Sequence, residues 1–313
     1  MSRINSSRIM YVLKKNKIFR TLGSPIYWTF CNLSEVSPKF VCKVLYFLHF
    51  LKKLDLDIPK TYNEKIIWLK LNTYYNNPLI TTCADKYQVR EFIINSGCEE
   101  LLNELIGVWD SAEDINWDFL PDKFVLKCNH GSGYNIICTD KRLFDINHAK
   151  KQIEKWMSED QWKLNVETSY KGIPKKIICE KYLGTPNKPV PDDYKITCFN
   201  GIPTYVLYCT NRETGSPKFY YFNRKWELQP FTHDAINASS DLIIEKPNNL
   251  DLMFKYAEIL SKSFPSVRVD LYSVENHIIF GELTFAQGGG INTILLPEAD
   301  RLFGELLQLN YSG

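Results

Sequence analysis

Apolar and polar positions alternate over several short runs of this chain, and this period of two is typical of β-strands. Two runs at 124–138 flank a Gly-Ser-Gly connection, and two at 193–210 flank Asn200-Gly201, the strongest short hairpin signal in the chain. Two more at 266–285 flank Glu275 and Asn276. The pattern therefore predicts three β-hairpins, with further strands at 100–109 and 177–183.

Other stretches repeat their apolar positions every three or four residues, the period of an amphipathic helix. One of them, 79–97, is predicted as a single helix ending at Gly97, with Lys86 and Arg90 four residues apart on one face. Another, 145–160, has Asp145 as its N-cap. Further helices are predicted over 60–71, 248–264 and 297–309. Residues 1–58 are predicted to form a mostly helical extension that ends near Pro59.

The composition of the 313-residue chain, 44% hydrophobic and 24% charged, is that of an ordinary globular protein. Its nine cysteines include no C-x-x-C pair and lie within apolar runs, which favours buried, reduced thiols over disulfides or a zinc site. No apolar run reaches the roughly 20 residues of a membrane span, and the N-terminus lacks a secretory signal. We therefore predict a cytoplasmic protein.

The net charge of +2 is unevenly distributed. Residues 1–53 contain ten Lys or Arg and one acid, Glu35, so this segment carries +9 and the remainder −7. Basic residues interleaved with apolar ones favour attraction to an anionic membrane surface or an acidic partner. The alternative is a basic helical extension packed on the body. Nucleic acid is not an expected partner, because the rest of the chain has no basic stripe.

The loop within 124–138 has the residues of a phosphate-binding site. Lys127 ends the first strand, and His130, Gly131, Ser132 and Gly133 follow it. Glycines let backbone N–H groups approach an anion, and lysine supplies a point charge. This is a nucleotide-loop hypothesis; the alternative is an ordinary hairpin with a solvated lysine.

Charged residues in otherwise apolar strands are the second candidate site. Asp270 and Glu282 lie on the two strands of the last hairpin, with Arg268 beside them, and Lys195 follows two acids, Asp192 and Asp193. Two carboxylates suit Mg²⁺ bound together with nucleotide phosphates. The alternative is an Arg268 ion pair on a solvated sheet face.

Taken in order, these motifs resemble the ATP-grasp fold. The motifs are ADKYQVREF (84–92), VLKCNHGSG (125–133), EKYL (180–183), DYKITCFNG (193–201) and RVDLY with FGELTF (268–285). Together with KTYNEKIIWLKL they resemble, more narrowly, the TupA-like ATP-grasp family of bacterial surface-polysaccharide gene clusters, over about 60 to 310. The resemblance implies an α+β fold in which two lobes clasp ATP. We expect an N-terminal lobe at 59–120, a small lobe with the flap at 121–183, and a large lobe with the metal site at 184–313.

The resemblance also implies roles for single residues. It implies that Lys86, Lys127 and Lys195 contact the ATP phosphates and that Gly131, Ser132 and Gly133 close over them as a flap. It implies an adenine-binding hinge at Glu180 with the backbone of Lys181, Tyr182 and Leu183, and a ribose contact from Asp192 or Asp193. It implies Mg²⁺ at Asp270 and Glu282, and Arg268 steadying the transferred phosphate. The usual Glu-x-Asn of the second metal strand is Glu282-Leu283-Thr284 here, so the third ligand would be the Thr284 hydroxyl.

The function implied is an ATP-dependent carboxylate–amine ligase that forms an amide through an acyl phosphate. Family context implies a uronic acid or amino-acid substituent of a capsular, O-antigen or cell-wall polysaccharide as the carboxylate. His130 and Gln287 are candidate acceptor-side residues, although His130 is also explained as a simple loop histidine. Two alternatives stay open. One is a glycosyltransferase, which the lack of a convincing D-x-D motif disfavours, and the other is a non-catalytic ATP-binding scaffold, which Thr284 keeps open.

Overall fold

The computed structural model describes residues 25–185, 188–211 and 216–309. Residues 1–24 of the predicted N-terminal extension lie outside this part of the chain. The helices are α1 Pro25–Val36, α2 Pro38–Phe50, α3 Tyr62–Leu71, α4 Pro78–Ala84, α5 Val89–Asn95, α6 Ile146–Ser158, α7 Trp162–Asn165, α8 His233–Ile236, α9 Leu250–Ser261 and α10 Pro297–Leu306. The strands are β1 Leu105–Trp109, β2 Phe124–Cys128, β3 Asn135–Cys138, β4 Ile177–Lys181, β5 Asp192–Phe199, β6 Ile202–Thr210, β7 Lys218–Asn223, β8 Leu228–Gln229, β9 Ser266–Val274 and β10 His277–Thr284.

The strands form two antiparallel sheets, a mixed α+β architecture. The small sheet has four strands in the order β1-β4-β2-β3, and the large sheet has six in the order β10-β9-β5-β6-β7-β8. The three predicted hairpins are β2–β3, β5–β6 and β9–β10, each paired antiparallel. At the tip of the second hairpin both Asn200 and Gly201 have positive φ, which these residue types tolerate.

Each sheet packs helices against its apolar faces. Helix α6, with Asp145 as its N-cap as predicted, places Ile153 in a core with Phe124 and Cys179 of the small sheet. On the large sheet, Cys198 of β5 contacts the backbone of Ala257 in α9. At one end of the opposite face, α3 and α10 cover the sheet through stacked and edge-on aromatic rings. The other end of that face carries Lys195, Asp270 and Tyr272, and Tyr272 lines a cleft shared with the small sheet.

The predicted single helix over 79–97 is wrong. The structure has two helices there, α4 and α5, and Asp85 lies between them with extended backbone angles, φ −73° and ψ 118°. The Asp85 carboxylate accepts hydrogen bonds from the N–H groups of Tyr87 and Gln88. A buried aspartate that satisfies the backbone in this way competes with continuation of the helix. Lys86 therefore lies in a turn rather than on a helical face.

The described part of the N-terminal extension packs on the body. Helix α2 buries Val41, Leu45 and Tyr46 in a cluster that also contains Ile67 of α3 and Val166. For residues 31–54 this agrees with the alternative in which the N-terminal extension packs on the body. All nine cysteines fall in the described ranges; none of them forms a disulfide, and eight are buried.

Candidate nucleotide and metal site

A charged network of largely buried side chains lies on the large sheet, on strands β5, β9 and β10. Asp270 pairs with Lys195 across β5 and β9, and the Lys195 Nζ lies 2.6 Å from both Asp270 and Asp193. Arg268 donates to both Asp270 oxygens, at 2.6 and 2.7 Å. Burial would raise the pKa of the Asp270 carboxyl, but Arg268 and Lys195 outweigh that effect and lower it. The aspartate therefore stays ionised in a nearly inaccessible position.

Glu282 reaches this network because β10 contains a bulge. The register shifts between Phe280 and Glu282, so that Phe280 opposes Leu271 and Glu282 opposes Asp270. Without the extra residue, Glu282 would share the apolar face of Phe280. The residue at the bulge is Gly281, where a Cβ would lie 2.9 Å from the Asp270 carbonyl oxygen. Glycine is therefore required at this position.

Thr284 connects two members of the network. Its hydroxyl accepts a hydrogen bond from Arg268 at 3.1 Å and donates to Glu282 at 3.3 Å, while Arg268 and Glu282 are 3.8 Å apart. Burial would lower the pKa of Arg268, but Asp270 and Glu282 more than offset this and raise it. The threonine thus orients the arginine and the glutamate, a role distinct from the predicted metal ligation, which stays a prediction.

The small sheet contributes Lys127 and Glu180 from neighbouring strands. The Lys127 Nζ lies 2.5 Å from the Glu180 carboxylate, and Arg90 of α5 approaches the same carboxylate at 3.8 Å. Arg90 also donates to the Asn103 carbonyl. The predicted phosphate lysine and the predicted hinge glutamate are therefore in direct contact on one face of the sheet.

The turn that carries Lys86 is held by hydrogen bonds of the buried Asn129, which the sequence did not reveal. Asn129, at the end of β2, donates to Asp85 and to the Pro174 carbonyl, both at 2.9 Å, and accepts from the Lys176 N–H. This amide joins three chain segments around the Lys86 turn. Burial lowers the pKa of Lys86, Glu282 opposes that shift, and the positive charge of Lys127 adds to it. Lys86 therefore lies between the two sheets.

The predicted flap is held by Gln161. The side-chain oxygen of Gln161 accepts from the Ser132 N–H, and its amide nitrogen donates to the Ser132 carbonyl at 2.8 Å. Lys86 donates to the Gly131 carbonyl at 2.5 Å. A Cβ on Gly131 would collide with the Gln161 oxygen, and Gly133 has φ +75°. The backbone conformation at 133 therefore favours glycine, and a side chain at 131 would displace Gln161 from Ser132.

His130 lies inside the small lobe. Its ring is 3% exposed, packs on Tyr134 and hydrogen-bonds to the Trp156 carbonyl at 3.0 Å. Because a carbonyl only accepts, the His130 Nε2 donates, and Nδ1 is buried without a partner among the described residues. Burial lowers the pKa of this imidazole. This environment matches a structural loop histidine, and an acceptor-side role stays a prediction.

The predicted adenine hinge lines a narrow cleft between the sheets. The cleft is bounded by apolar side chains from both, namely Val125, Ile137, Leu183, Val190 and Tyr272. The Lys181 carbonyl accepts from the Asn103 side chain at 2.8 Å, and the Tyr182 hydroxyl donates to the Pro189 carbonyl at 2.6 Å. An apolar slot of this kind suits a flat aromatic ring.

The two candidate ribose acids point to opposite faces of β5, as neighbours on a strand must. Asp193 is paired with Lys195 in the network, at 2.6 Å. Asp192 instead accepts from the Tyr208 hydroxyl at 3.0 Å and pairs with Lys188 at 2.5 Å. Only Asp193 shares the face of the other site residues. Ribose contact by either acid stays a prediction.

Sequence reasoning missed Tyr170, which lies near Lys86, and a glycine turn that Lys70 holds in place. Tyr170 lies with its ring centroid 5.8 Å from the Lys86 Nζ. The glycine turn is Gly288 to Gly290, in which all three glycines have positive φ. The fully buried Lys70 donates to the Gly289 and Asn165 carbonyls, at 2.6 and 2.9 Å, and so joins this turn to α7. The only signal in the sequence was the run of three glycines after GELTF.

Gln287 is the second residue predicted to lie on the acceptor side. It is 4% exposed, donates to the Tyr62 hydroxyl at 3.0 Å and accepts from Asn292 at 3.4 Å. Its contacts are therefore with α3 and the loop before α10. The acceptor-side role predicted for it has no support from this geometry and stays a prediction.

A comparison with known families identifies this arrangement. The sequence model of the TupA-like ATP-grasp family matches residues 64–308. The chain belongs to the TupA-like ATP-grasp family. The match covers every site residue described above, from Lys70 to Gly290. No curated protein matches the chain significantly.

Solved ATP-grasp structures are more distant. A D-alanine–D-alanine ligase from Bacillus anthracis complexed with ATP is 17% identical, with a TM-score of 0.45, over 72% of this chain and 64% of that one. An L-amino acid ligase from Bacillus licheniformis is 14% identical, with a TM-score of 0.45, over 82% and 57%. The ATP-grasp ligase PsnB, complexed with Mg and ADP, is 9% identical, with a TM-score of 0.40, over 88% and 71%. The chain thus spans less than two thirds of the length of the first two proteins.

The donor set fits the magnesium ion of an ATP-grasp site. Asp270 and Glu282 face each other across two strands, and Glu282 is one third exposed. Within the described residues, no cluster of three or more Asp, Glu, His or Cys side chains could hold a metal alone. Mg²⁺ characteristically takes one or two carboxylates and completes its shell with phosphate oxygens and water. Asp270 and Glu282 would therefore hold the metal only together with the nucleotide.

Proposed function

We propose that this protein is an ATP-dependent carboxylate–amine ligase. The observation that carries the proposal is the convergence of Lys86, Lys127, Lys195 and Arg268 with four carboxylates in the gap between the two sheets, namely Glu180, Asp193, Asp270 and Glu282. The triphosphate of ATP would accept hydrogen bonds from these cations in exchange for their carboxylate partners, and Mg²⁺ would balance the carboxylate charge. The family assignment and the apolar cleft beside Leu183 support the same nucleotide.

In the proposed reaction, a carboxylate oxygen of the substrate attacks the γ-phosphorus of ATP, and the bond to the β-phosphate oxygen breaks to give ADP. The amine then attacks the acyl carbon, the C–O bond to phosphate breaks, and the amine loses a proton to give an amide. Bound Mg²⁺ would neutralise phosphate charge. Lys86, Lys127 and Lys195 would bind the phosphates, and Arg268 would hold the transferred group. A closed Gly131–Gly133 flap would exclude water from the acyl phosphate.

The carboxylate substrate is proposed to be a uronic acid or an amino-acid substituent of a capsular, O-antigen or cell-wall polysaccharide precursor. The resemblance to a family of surface-polysaccharide gene clusters supports this choice. We further propose that the protein works at the inner face of the cell membrane. No helix among the described residues is long and apolar enough to cross a bilayer, so such an association would be peripheral.

The first test is nucleotide binding measured by thermal unfolding. We expect ATP with Mg²⁺ to raise the melting temperature of the wild type, because a ligand that binds only the folded state stabilises it. Lys127→Ala should abolish the shift. Lys123→Ala is the matched control, since that lysine is exposed and lies four residues earlier in the chain. An unchanged melting curve of the wild type with ATP and Mg²⁺ would sink the proposal.

A second variant separates the contribution of Mg²⁺ to the thermal shift from that of nucleotide binding. Glu282→Gln removes the more accessible carboxylate but leaves the Asp270 network, so we expect the protein to fold and to lose most of the Mg²⁺-dependent part of the ATP shift. ADP release in the presence of uronic acids and amines then tests catalysis. Binding without any ADP release, across carboxylates of both classes, would favour the scaffold alternative.

A further inference from the structure

One face of helix α2 exposes large apolar side chains together with a lysine. Phe40 and Phe47 are 52% and 54% exposed, and Leu51, directly after the helix, is 63% exposed. The exposed Lys43 lies between the two phenylalanines. Residues at these spacings lie on one side of a helix. We call Phe40, Lys43, Phe47 and Leu51 the α2 stripe.

The stripe is the outer side of an anchored helix. The opposite side of α2 buries Val41, Leu45 and Tyr46 against Ile67 of α3, so the helix cannot rotate to hide the phenylalanines. At about 20 Å, the helix is long enough to present a linear surface. Three large apolar side chains exposed along one side of a single helix concentrate apolar surface there, and such a concentration marks an interaction site.

The charges around the stripe favour an anionic partner. Lys39, Lys52 and Lys53 are exposed beside it, in addition to Lys43. Glu35 of α1 is paired with Lys163 at 2.9 Å, and Asp55 interacts with Lys53, so these two acids do not balance Lys39, Lys43 and Lys52. Long lysine side chains can lie along an apolar surface while their ammonium groups reach anionic headgroups.

The same charges disfavour a second copy of the protein, or residues 1–24, as the partner of the α2 stripe. Two copies docked through the stripe would bring their lysines together, and like charges facing each other cost free energy. Residues 1–24 contain six Lys or Arg and no acid, so they would meet the same repulsion. An anionic bilayer has no such penalty and also accepts the phenylalanines at its interface.

We propose that the α2 stripe binds the surface of a bilayer that contains anionic phospholipid. The helix lies in the plane of the membrane with Phe40, Phe47 and Leu51 in the headgroup region, and the lysines contact the lipid phosphates. The inference deepens the proposed peripheral location by naming the surface responsible. It does not depend on the ligase chemistry.

The test is co-sedimentation of the full chain with vesicles of phosphatidylcholine, with or without phosphatidylglycerol. We expect binding to the phosphatidylglycerol vesicles, reduced by added salt, and weak binding to the neutral ones. The double variant Phe40→Ser with Phe47→Ser should bind about tenfold more weakly, because it loses two apolar insertions. The matched control is Phe119→Ser with Leu143→Ser, since both side chains are 85% exposed elsewhere; its binding should equal that of the wild type.

Three outcomes would overturn the inference. Equal binding of the stripe variant and the wild type would assign any binding to the basic residues 1–24. Absence of vesicle binding, with a molecular mass in solution that falls in the stripe variant, would show that a second copy covers the stripe. Absence of binding with no change in mass would leave the stripe without a lipid role. The ATP-dependent thermal shift of the same variant keeps this result separate from the ligase proposal, because that shift should persist.

Discussion

The two carboxylates Asp270 and Glu282 differ in how far the protein itself balances their charge. Its two oxygens already accept from Arg268 and Lys195, so its charge is balanced by the protein itself. Glu282, by contrast, has among the described residues a 3.8 Å contact to Arg268 and a weak bond from Thr284. An incoming metal would therefore meet Glu282 as the more available carboxylate. Removing Asp270 would leave Lys195 with Asp193 and Arg268 with only its longer contacts to Thr284 and Glu282 among the described residues, which weakens the pairing of the arginine.

His130 gives a prediction about pH at the same scale. Burial lowers the pKa of this imidazole in the folded protein, while the unfolded value is about 6.5. As the pH falls below about 6.5, the unfolded state takes up a proton first, so stability is lost. We expect the wild type to lose stability relative to His130→Gln between pH 7 and 5.5, by up to about 1 kcal/mol, the limit that the unfolded-state pKa sets over this range.

The measurement is the free energy of unfolding by urea for both proteins at several pH values. Glutamine can still donate to the Trp156 carbonyl, so the variant keeps the hydrogen bond but has no titrating group in this range. Buried carboxyls with raised pKa values, such as Asp85, titrate in both proteins and cancel in the difference. Parallel pH profiles for the two proteins would contradict the assignment of the ring as neutral and buried.

At the scale of elements, the flap depends on the segment that follows α6. Gln161 makes a reciprocal pair of hydrogen bonds with Ser132, and the stacked rings of Tyr134 and Trp156 fix the base of the loop. The flap conformation is therefore set by a side chain about 30 residues away in sequence rather than by its glycines alone.

Gln161→Ala should loosen the flap while leaving the fold intact. We expect faster amide hydrogen exchange at 130–134 and about a tenfold weaker ATP affinity, because the flap must then be ordered by the nucleotide. Gln152→Ala on α6 is the control. If exchange at 130–134 were the same in both variants, Gln161 would not hold the loop.

At the scale of the whole molecule, the N-terminal helices are part of the folded body. Leu45 of α2 is 6% exposed in the cluster with Ile67 and Val166, whereas Phe47 two residues later is 54% exposed. We expect Leu45→Ala to reduce the free energy of unfolding by about 3 kcal/mol, through lost burial and a cavity. Phe47→Ala should change it by no more than about 0.5 kcal/mol. Chemical denaturation measures both, and equal small effects would mean that α2 does not stabilise the body.

The sequence by itself determined the hairpins, most helices and the family. Strand runs around Asn200-Gly201 and the glycines at 131 and 133 are local signals, since turn geometry depends on a few adjacent residues. The order of Lys86, Lys127, Lys195, Asp270 and Glu282 likewise identified the family that the comparison confirmed. These features are encoded in short stretches of chain.

Tertiary structure alone decided which of these residues meet. The break at Asp85 combines local bonds from Tyr87 and Gln88 with a bond from Asn129, 44 positions away, and no local pattern shows the second contact. Simple alternation would put Glu282 on the apolar face with Phe280, and the bulge at Gly281 brings it opposite Asp270 instead. Asp192 and Asp193 point to opposite faces of β5, and the tertiary structure shows that the face of Asp193 carries the other site residues. Long-range packing and register set these positions because they depend on partners that are distant in the sequence.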